Sequence, residues 1–264
     1  MALQDMWQQH DWQHSPFAPR LHIVQALVQG GKTASGAGFS RYDALMRCLG
    51  ETAEIAAMKS HETSEGLAAG PEAEFASFRA LTERLERWAL WRWWHGQLAA
   101  RPMAPPPRLA TLRQNALRPR RSSVWALPDF QPLKVAIAKS TNESGHAPIL
   151  GFGAGLCWQS ATDSALIELG LMELNLITQP KGLTEYFSRI EAATSQKFQE
   201  GALFVPPPTA APADKLATLT TTLKQAGISF SLQPYALRGA ELCVMRAVIP
   251  EAPSWAAPDN SPLL

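Results

Sequence analysis

The chain has 264 residues, 46% of them apolar, and a formal charge of +1. That length makes one large domain or two small ones with ample material for a core, and the balanced charge excludes a general pull toward nucleic acid or an acidic membrane. No apolar run reaches the length of a membrane span. The three cysteines, Cys48, Cys157 and Cys243, are too scattered for a disulfide framework or a metal motif. The start, MALQDMWQQHDWQH, lacks the basic-then-apolar pattern of a signal peptide, so the expected compartment is the cytoplasm.

Residues 1–20 read as an N-terminal extension. Leu21 to Gln29 reads as a first strand stopped by Gly30-Gly31, and the segment to Gly38 as a Gly/Ser-rich turn carrying Lys32 and Ser35. Ser40, with Asp43 three residues on, is a variant capping box. The helix it starts runs to about Lys59, with Leu45, Leu49 and Thr52 toward one side. Pro71 to Ala100 reads as a long helix whose Phe75, Phe78, Leu81, Leu85, Trp88 and Trp91 recur at helical spacing. At its end Trp93 and Trp94 cannot both face one core, which leaves one of them exposed.

Residues 102–108 form a Pro-rich loop. The run from Arg101 to Arg121 holds many arginines and no acid; a solvated connection is favoured there over a contact surface. Lys134 to Ser140 and Ala147 to Phe152 read as a hairpin, followed by a helix from Ser160 to about Ile177 and another from Leu183 to Gln199. A short strand is expected at Ala202 to Val205 and a Pro-rich loop at 206–213. A helix is expected from Asp214 to Ala226, then strands at Ile228 to Leu232 and Glu241 to Ile249. Residues 251–264 read as an irregular tail. The mixture without βαβ alternation is an α+β pattern.

The chemistry sits in two turn–helix units. Glu51 and Glu54 lie three apart, so a helix presents them from neighbouring positions, where two carboxylates can share a magnesium ion. The same pair also reads as a solvated helix face. Gly30-Gly31-Lys32 lacks the full phosphate-loop pattern. No histidine pair has metal spacing, and Cys48 reads as a small core thiol.

Together, GGKTASGAGFSRYDALMRCLGETAE and the later GFGAGLCWQSATDSALIELGLMELNLI resemble the two signatures of the YcaO domain family: a GKG-like turn with a serine and an S-x-x-E-x-x-E-R helix, then a Gly/Ala turn with a helix ending in E-x-x-E-R. The last third, LTTTLKQAGISFSLQPYALRGAELCVMRAVIPE, is also similar to the family, so the resemblance covers residues 21–250. It implies a YcaO-like α+β domain with mixed β-sheet layers covered by helices. It also implies an enzyme that uses ATP and magnesium to phosphorylate a backbone amide oxygen, turning a poor leaving group into a good one. Attack by a substrate side chain, by sulfide or by an amine then gives an azoline, a thioamide or an amidine.

By this resemblance Lys32 and Ser35 meet phosphate, and Glu51, Glu54 and Glu173 hold magnesium. The implied setting is maturation of a ribosomally made peptide of the bacteriocin or peptide-antibiotic type. The implied partners are the precursor peptide, other maturation proteins and a second copy of the chain, with no nucleic acid. The chain departs from the pattern at Ile55, where an arginine belongs, at Leu176 and Ile177 for the second Glu-Arg, at Ala154 for a frequent Asn, and in lacking a PxPxP ending. These departures support an alternative: a non-catalytic YcaO-like subunit that binds precursor peptide or scaffolds a catalytic partner.

Overall fold

The computed structural model describes residues 3–59, 62–131, 133–178, 190–191, 194–198, 201–208, 210–237 and 242–254. They gather into two compact units, one from Met1–His14, His22–Arg87 and Pro212–Ser254, the other from Ser15–Leu21 and Trp88–Ala211.

In the first unit, β1 (Trp7–Gln13), β2 (His22–Val28) and β3 (Lys32–Gly38) form an antiparallel sheet in that order. The N-terminal stretch read as an extension therefore supplies a strand. The expected Gly/Ser-rich turn is shorter than the sequence suggests. Only Gly30 and Gly31 turn, at φ 94° and 78°, which glycine adopts freely, and Lys32 and Ser35 lie on β3.

Helix α1 (Arg41–Ala57) follows, capped by Ser40, whose Oγ accepts the Asp43 N–H at 3.1 Å as the capping-box reading anticipates. Its buried residues are Ala44, Cys48, Thr52 and Ala53, while Leu45 and Leu49 are only half-buried. Small side chains face the sheet because α1 lies nearly on the backbone of β3. A Cβ at Gly36 would strike the Ala44 carbonyl oxygen, and one at Gly38 would meet the Asp43 Cβ at 2.7 Å. Val24, Ala26, Val28, Ala34, Ala44 and Cys48 form the core between helix and sheet.

The other side of α1 meets a second antiparallel sheet. This contains β4 (Leu67–Gly70) and two later strands, ordered β4, then Cys243–Val248, then Ser231–Tyr235, with Ala53, Leu67, Ala69 and Val244 at its core. α2 (Ala73–Trp94) is shorter than expected, and its buried face carries Ala76, Ala80, Leu81, Arg84 and Leu85, while Phe75 is exposed. At its end Trp93, rather than Trp88 or Trp91, is the fully buried tryptophan.

The second unit is built on β5 (Arg101–Met103), α3 (Pro107–Arg113), β6 (Arg121–Ala126), β7 (Lys134–Thr141), β8 (Ile149–Gly155) and α4 (Trp158–Thr178). The strands pair antiparallel in sequence order. The Arg101–Arg121 run is therefore structured, with two strands and a helix where a solvated connection was expected.

α4 begins ahead of Ser160, whose Oγ donates back to the Cys157 carbonyl at 2.9 Å. The expected strand at Ala202 to Val205 is a single parallel bridge between Met103 and Phe204. Most of the helix expected at Leu183 to Gln199 lies outside the described residues. Back in the first unit, α5 (Lys215–Gln225) starts at an Asp214 cap, followed by the two strands named above, β9 (Ser231–Tyr235) and β10 (Cys243–Val248).

The two units share one motif. In each, an antiparallel hairpin ends in Gly-Ala-Gly and leads into a helix packed on its second strand. A Cβ at Gly153 would strike the Ala161 carbonyl oxygen and the Ala165 N–H, and one at Gly155 would strike Ser160. One constant offset relates Gly36 to Gly153, Gly38 to Gly155, Ala44 to Ala161 and Cys48 to Ala165.

Two glycine substitutions test this packing by chemical denaturation. Gly36→Ala is expected to cost at or beyond the upper end of the roughly 1–3 kcal/mol of overpacked cores, because backbone atoms must move. Gly50→Ala, whose Cβ meets nothing within 4 Å, is expected to stabilise by about 0.5–1 kcal/mol through helix propensity. Equal effects of the two would contradict the account.

Candidate functional site

On α1, Glu51 and Glu54 reach in different directions. Glu51 Oε2 accepts the Ser35 N–H of β3 at 2.5 Å, and Glu54 Oε1 accepts the Ala69 N–H of β4 at 3.0 Å. Successive glutamates of one helix thus bind the edges of two sheets. Burial pushes both carboxyls up from their ordinary values, against those N–H donors. Glu54 rises to about 7, with Arg79 opposing the shift and Glu51 adding to it. Glu83 of α2 is also raised to about 7 by burial and by Glu54, although Arg87 Nε lies 3.9 Å from it. The first unit therefore gathers half-buried carboxylates with less positive charge than they require. Their oxygens are of the hard type a divalent cation takes, although they do not converge into a ready cluster.

The other phosphate candidates are placed less favourably. Lys32 is exposed at the start of β3, opposite Val28. The pair of glycines that frames a GKG-like pattern is Gly36 and Gly38, and between them stands Ala37, 2% exposed. Ser35 gives its N–H to Glu51, while its Oγ accepts from Gln25 at 3.4 Å. Ile55, in the arginine position, packs against the core cluster of α1 and β2. Cys48, in the serine position of the helix signature, is buried with its thiol pushed up to about 12, first by burial and then by Glu51.

In the second unit the magnesium expectation for Glu173 meets a different environment. Glu173 is fully buried and receives both guanidinium arms of Arg113 at 2.7 Å, with Arg120 Nε at 3.4 Å and Ser140 Oγ donating at 2.5 Å. Arg113 is further held by the Ser122 hydroxyl and the Phe17 carbonyl, and Arg120 by Ser140 and the Ala147 carbonyl. Both carboxylate oxygens are thus satisfied by protein donors, leaving Glu173 a structural ion cluster. Two arginines of the supposedly solvated run, Arg113 and Arg120, have their reason here.

Glu168 is the true counterpart of Glu51. It stands at the same offset, and its Oε2 accepts the Phe152 N–H of β8 at 3.0 Å, the same bond across the same sixteen-residue separation. By this register the second Glu-Arg positions are Leu171 and Met172, not Leu176 and Ile177. The sequence carried the signal for Glu168 in its distance from the Gly-Ala-Gly. Among the described residues, no three His, Cys, Asp or Glu side chains form a ready metal cluster, and no helix is long and apolar enough to cross a membrane.

Two outcomes follow. Glu173→Gln leaves two buried guanidiniums short of a partner and is expected to destabilise by about 3–5 kcal/mol, read by urea unfolding. Glu54→Gln is expected to behave oppositely. Because the folded carboxyl is raised to about 7 from 4.5, the native state binds more protons than the unfolded chain in that window, and stability drains away as pH rises through it. The variant should match wild type near pH 4.5 and melt higher above pH 7, by about 2–4 °C for each kcal/mol relieved. A gain that is independent of pH would contradict this.

No curated protein matches the chain by sequence. Among solved structures it is similar to YcaO from Methanopyrus kandleri bound with AMPPCP and Mg2+, at a TM-score of 0.80 and 15% identity over 97% of this chain and 89% of that one. It is equally similar to a heterocyclase in complex with substrate and cofactor, at 0.80 and 15%, but spans only 50% of that chain against 95% of its own. It also resembles the E. coli microcin synthetase McbBCD complex, at 0.60 and 10%, over 87% of this chain and 84% of that one. At such identities the likeness is one of fold. The sequence model of the family described as YcaO cyclodehydratase, ATP- and Mg2+-binding, matches residues 56–252, beginning just beyond Glu54. With well over half its length matched and the same fold, the chain belongs to the YcaO cyclodehydratase family.

Proposed function

We propose that this protein binds ATP with magnesium and activates a backbone amide of a ribosomally made precursor peptide, for cyclodehydration or a related modification. The observation that carries this reading is the repeated glutamate: Glu51 with Glu54 in the first unit and Glu168 in the second, each on a helix that directly follows, and packs on, a strand ending in Gly-Ala-Gly. In each unit these carboxylates would ligate magnesium. ATP, when bound, supplies the phosphoryl group that makes the amide oxygen a leaving group, and magnesium neutralises its charge. Phosphate contact falls to Ser35 and, from the start of β3, Lys32. The setting is the cytoplasm, where precursor peptide and ATP are made, and other maturation proteins are the expected partners.

A specific observation favours a second reading, a non-catalytic subunit that holds precursor peptide for a catalytic partner. Ala37, Ile55, Leu171 and Met172 put hydrocarbon where the signatures carry charge. Each charge-assisted contact removed forfeits roughly 1.5–3 kcal/mol.

Calorimetric titration with ATP and magnesium separates the two. The enzyme reading predicts binding that Glu51→Gln and Glu168→Gln each weaken by about 10–100-fold or more, with Glu72→Gln, an exposed acid outside the site, as an unaffected control. Absence of binding, even with a precursor peptide and partner proteins present, overturns it in favour of the scaffold.

A further inference from the structure

β6 and β7 send alternate side chains to opposite faces of their sheet. Ser122 and Ser140, paired across the two strands, share the face that meets Arg113 and Glu173. The residues on either side of them therefore lie on the other face. There Arg121 stands opposite Thr141, and Ser123 opposite Lys139. The two pairs are adjacent, so the four side chains form a square, with the cations on one diagonal and the hydroxyls on the other. Diagonal neighbours of this kind stand roughly 7–8 Å apart, close enough for an arginine and a lysine to reach one small ligand.

Every corner of the square is a donor. Arg121 is exposed and Lys139 is half-buried, and neither pairs with a carboxylate among the described residues. Lys139 Nζ lies 4.9 Å from the centre of the Phe198 ring, and Glu191, the described acid nearest Phe198 in sequence, is taken by the Ala147 N–H. Burial pushes the Lys139 ammonium down from its ordinary value, the cost of holding a charge partly out of water without a counterion. Ser123 Oγ accepts the Trp125 Nε1–H at 3.1 Å, which leaves its own proton to give. Neither that hydroxyl nor the one on Thr141 donates to an acceptor among the described residues. Two positive charges and two hydroxyl donors match the charge and the several oxygens of a tetrahedral dianion. A single carboxylate would leave one cation unmatched.

We propose that Arg121, Ser123, Lys139 and Thr141 form a binding site for a phosphate dianion, free or as a monoester. Arg121 offers a planar fork, Lys139 a point charge, and the hydroxyls the remaining donors. The site uses none of the glutamates above and stands whichever reading of them holds. Calorimetric titration of the full chain with inorganic phosphate, without ATP or magnesium, tests it. Saturable binding is expected, weakened about tenfold or more by Arg121→Gln and by Lys139→Gln and unchanged by Lys224→Gln, an exposed lysine on α5. Sulfate should compete, and acetate should not. Phenyl phosphate distinguishes the sources: tighter binding than inorganic phosphate supports a monoester whose organic part lies beside Phe198, and weaker binding supports the free ion. Arg121 is exposed, and unchanged circular dichroism confirms that each variant folds. Absence of saturable binding overturns the proposal, as does phosphate binding that survives both substitutions, or acetate bound as tightly as phosphate.

Discussion

The structure depends on a close approach of helix to strand that only glycine permits. At Gly36 and Gly153 a single methyl group would collide with helix backbone, so α1 and α4 lie almost directly on β3 and β8. That proximity brings a glutamate partway along each helix within hydrogen-bond reach of a strand N–H, Glu51 to Ser35 and Glu168 to Phe152. It also selects Ala44, Cys48, Ala161 and Ala165 for the contact face, since larger side chains would hold the helix away. The glycines that look like a phosphate cradle in the sequence are, first, the surface on which a helix rests.

The carboxylates held in this way divide by their environment. Glu173 is buried and neutralised by two arginines and a serine, an arrangement whose disruption is costly and whose oxygens are engaged. Glu51, Glu54 and Glu83 are partly desolvated without matching positive charge, and burial raises all three. A fold under selection for stability alone has no reason to keep such a group together. A bound divalent cation would supply the missing charge, which is the physical ground for proposing magnesium there and not at Glu173.

Much of this was legible in the sequence. The Ser40 cap, the hairpin before α4 and the existence of two Gly-rich units all follow from local chemistry, and the family follows from their order. What was not legible depended on tertiary contact. Lys32 reads as a turn residue because glycines surround it, yet Gly36 and Gly38 are glycines for packing and the strand runs through them. Glu173 reads as a signature glutamate because it is acidic and near the helix end. The spacing from Gly-Ala-Gly points to a register five residues earlier, and the bond from Phe152 to Glu168 makes it plain. Arg113 and Arg120 read as solvated because their buried partner, Glu173, is remote in sequence. The four-residue β4 and three-residue β5 are too short to show an alternation.

The central claim is that Glu51, Glu54 and Glu168 face metal while Glu173 does not. It is tested most directly by a crystal structure with a non-hydrolysable ATP analogue and Mn2+ in place of Mg2+. The account predicts anomalous density within bonding distance of oxygens of Glu51 or Glu54 and of Glu168, with Glu173 still clasped by Arg113 and Arg120. Metal bound to Glu173, or nucleotide seated with no metal on any of the other three, would contradict it.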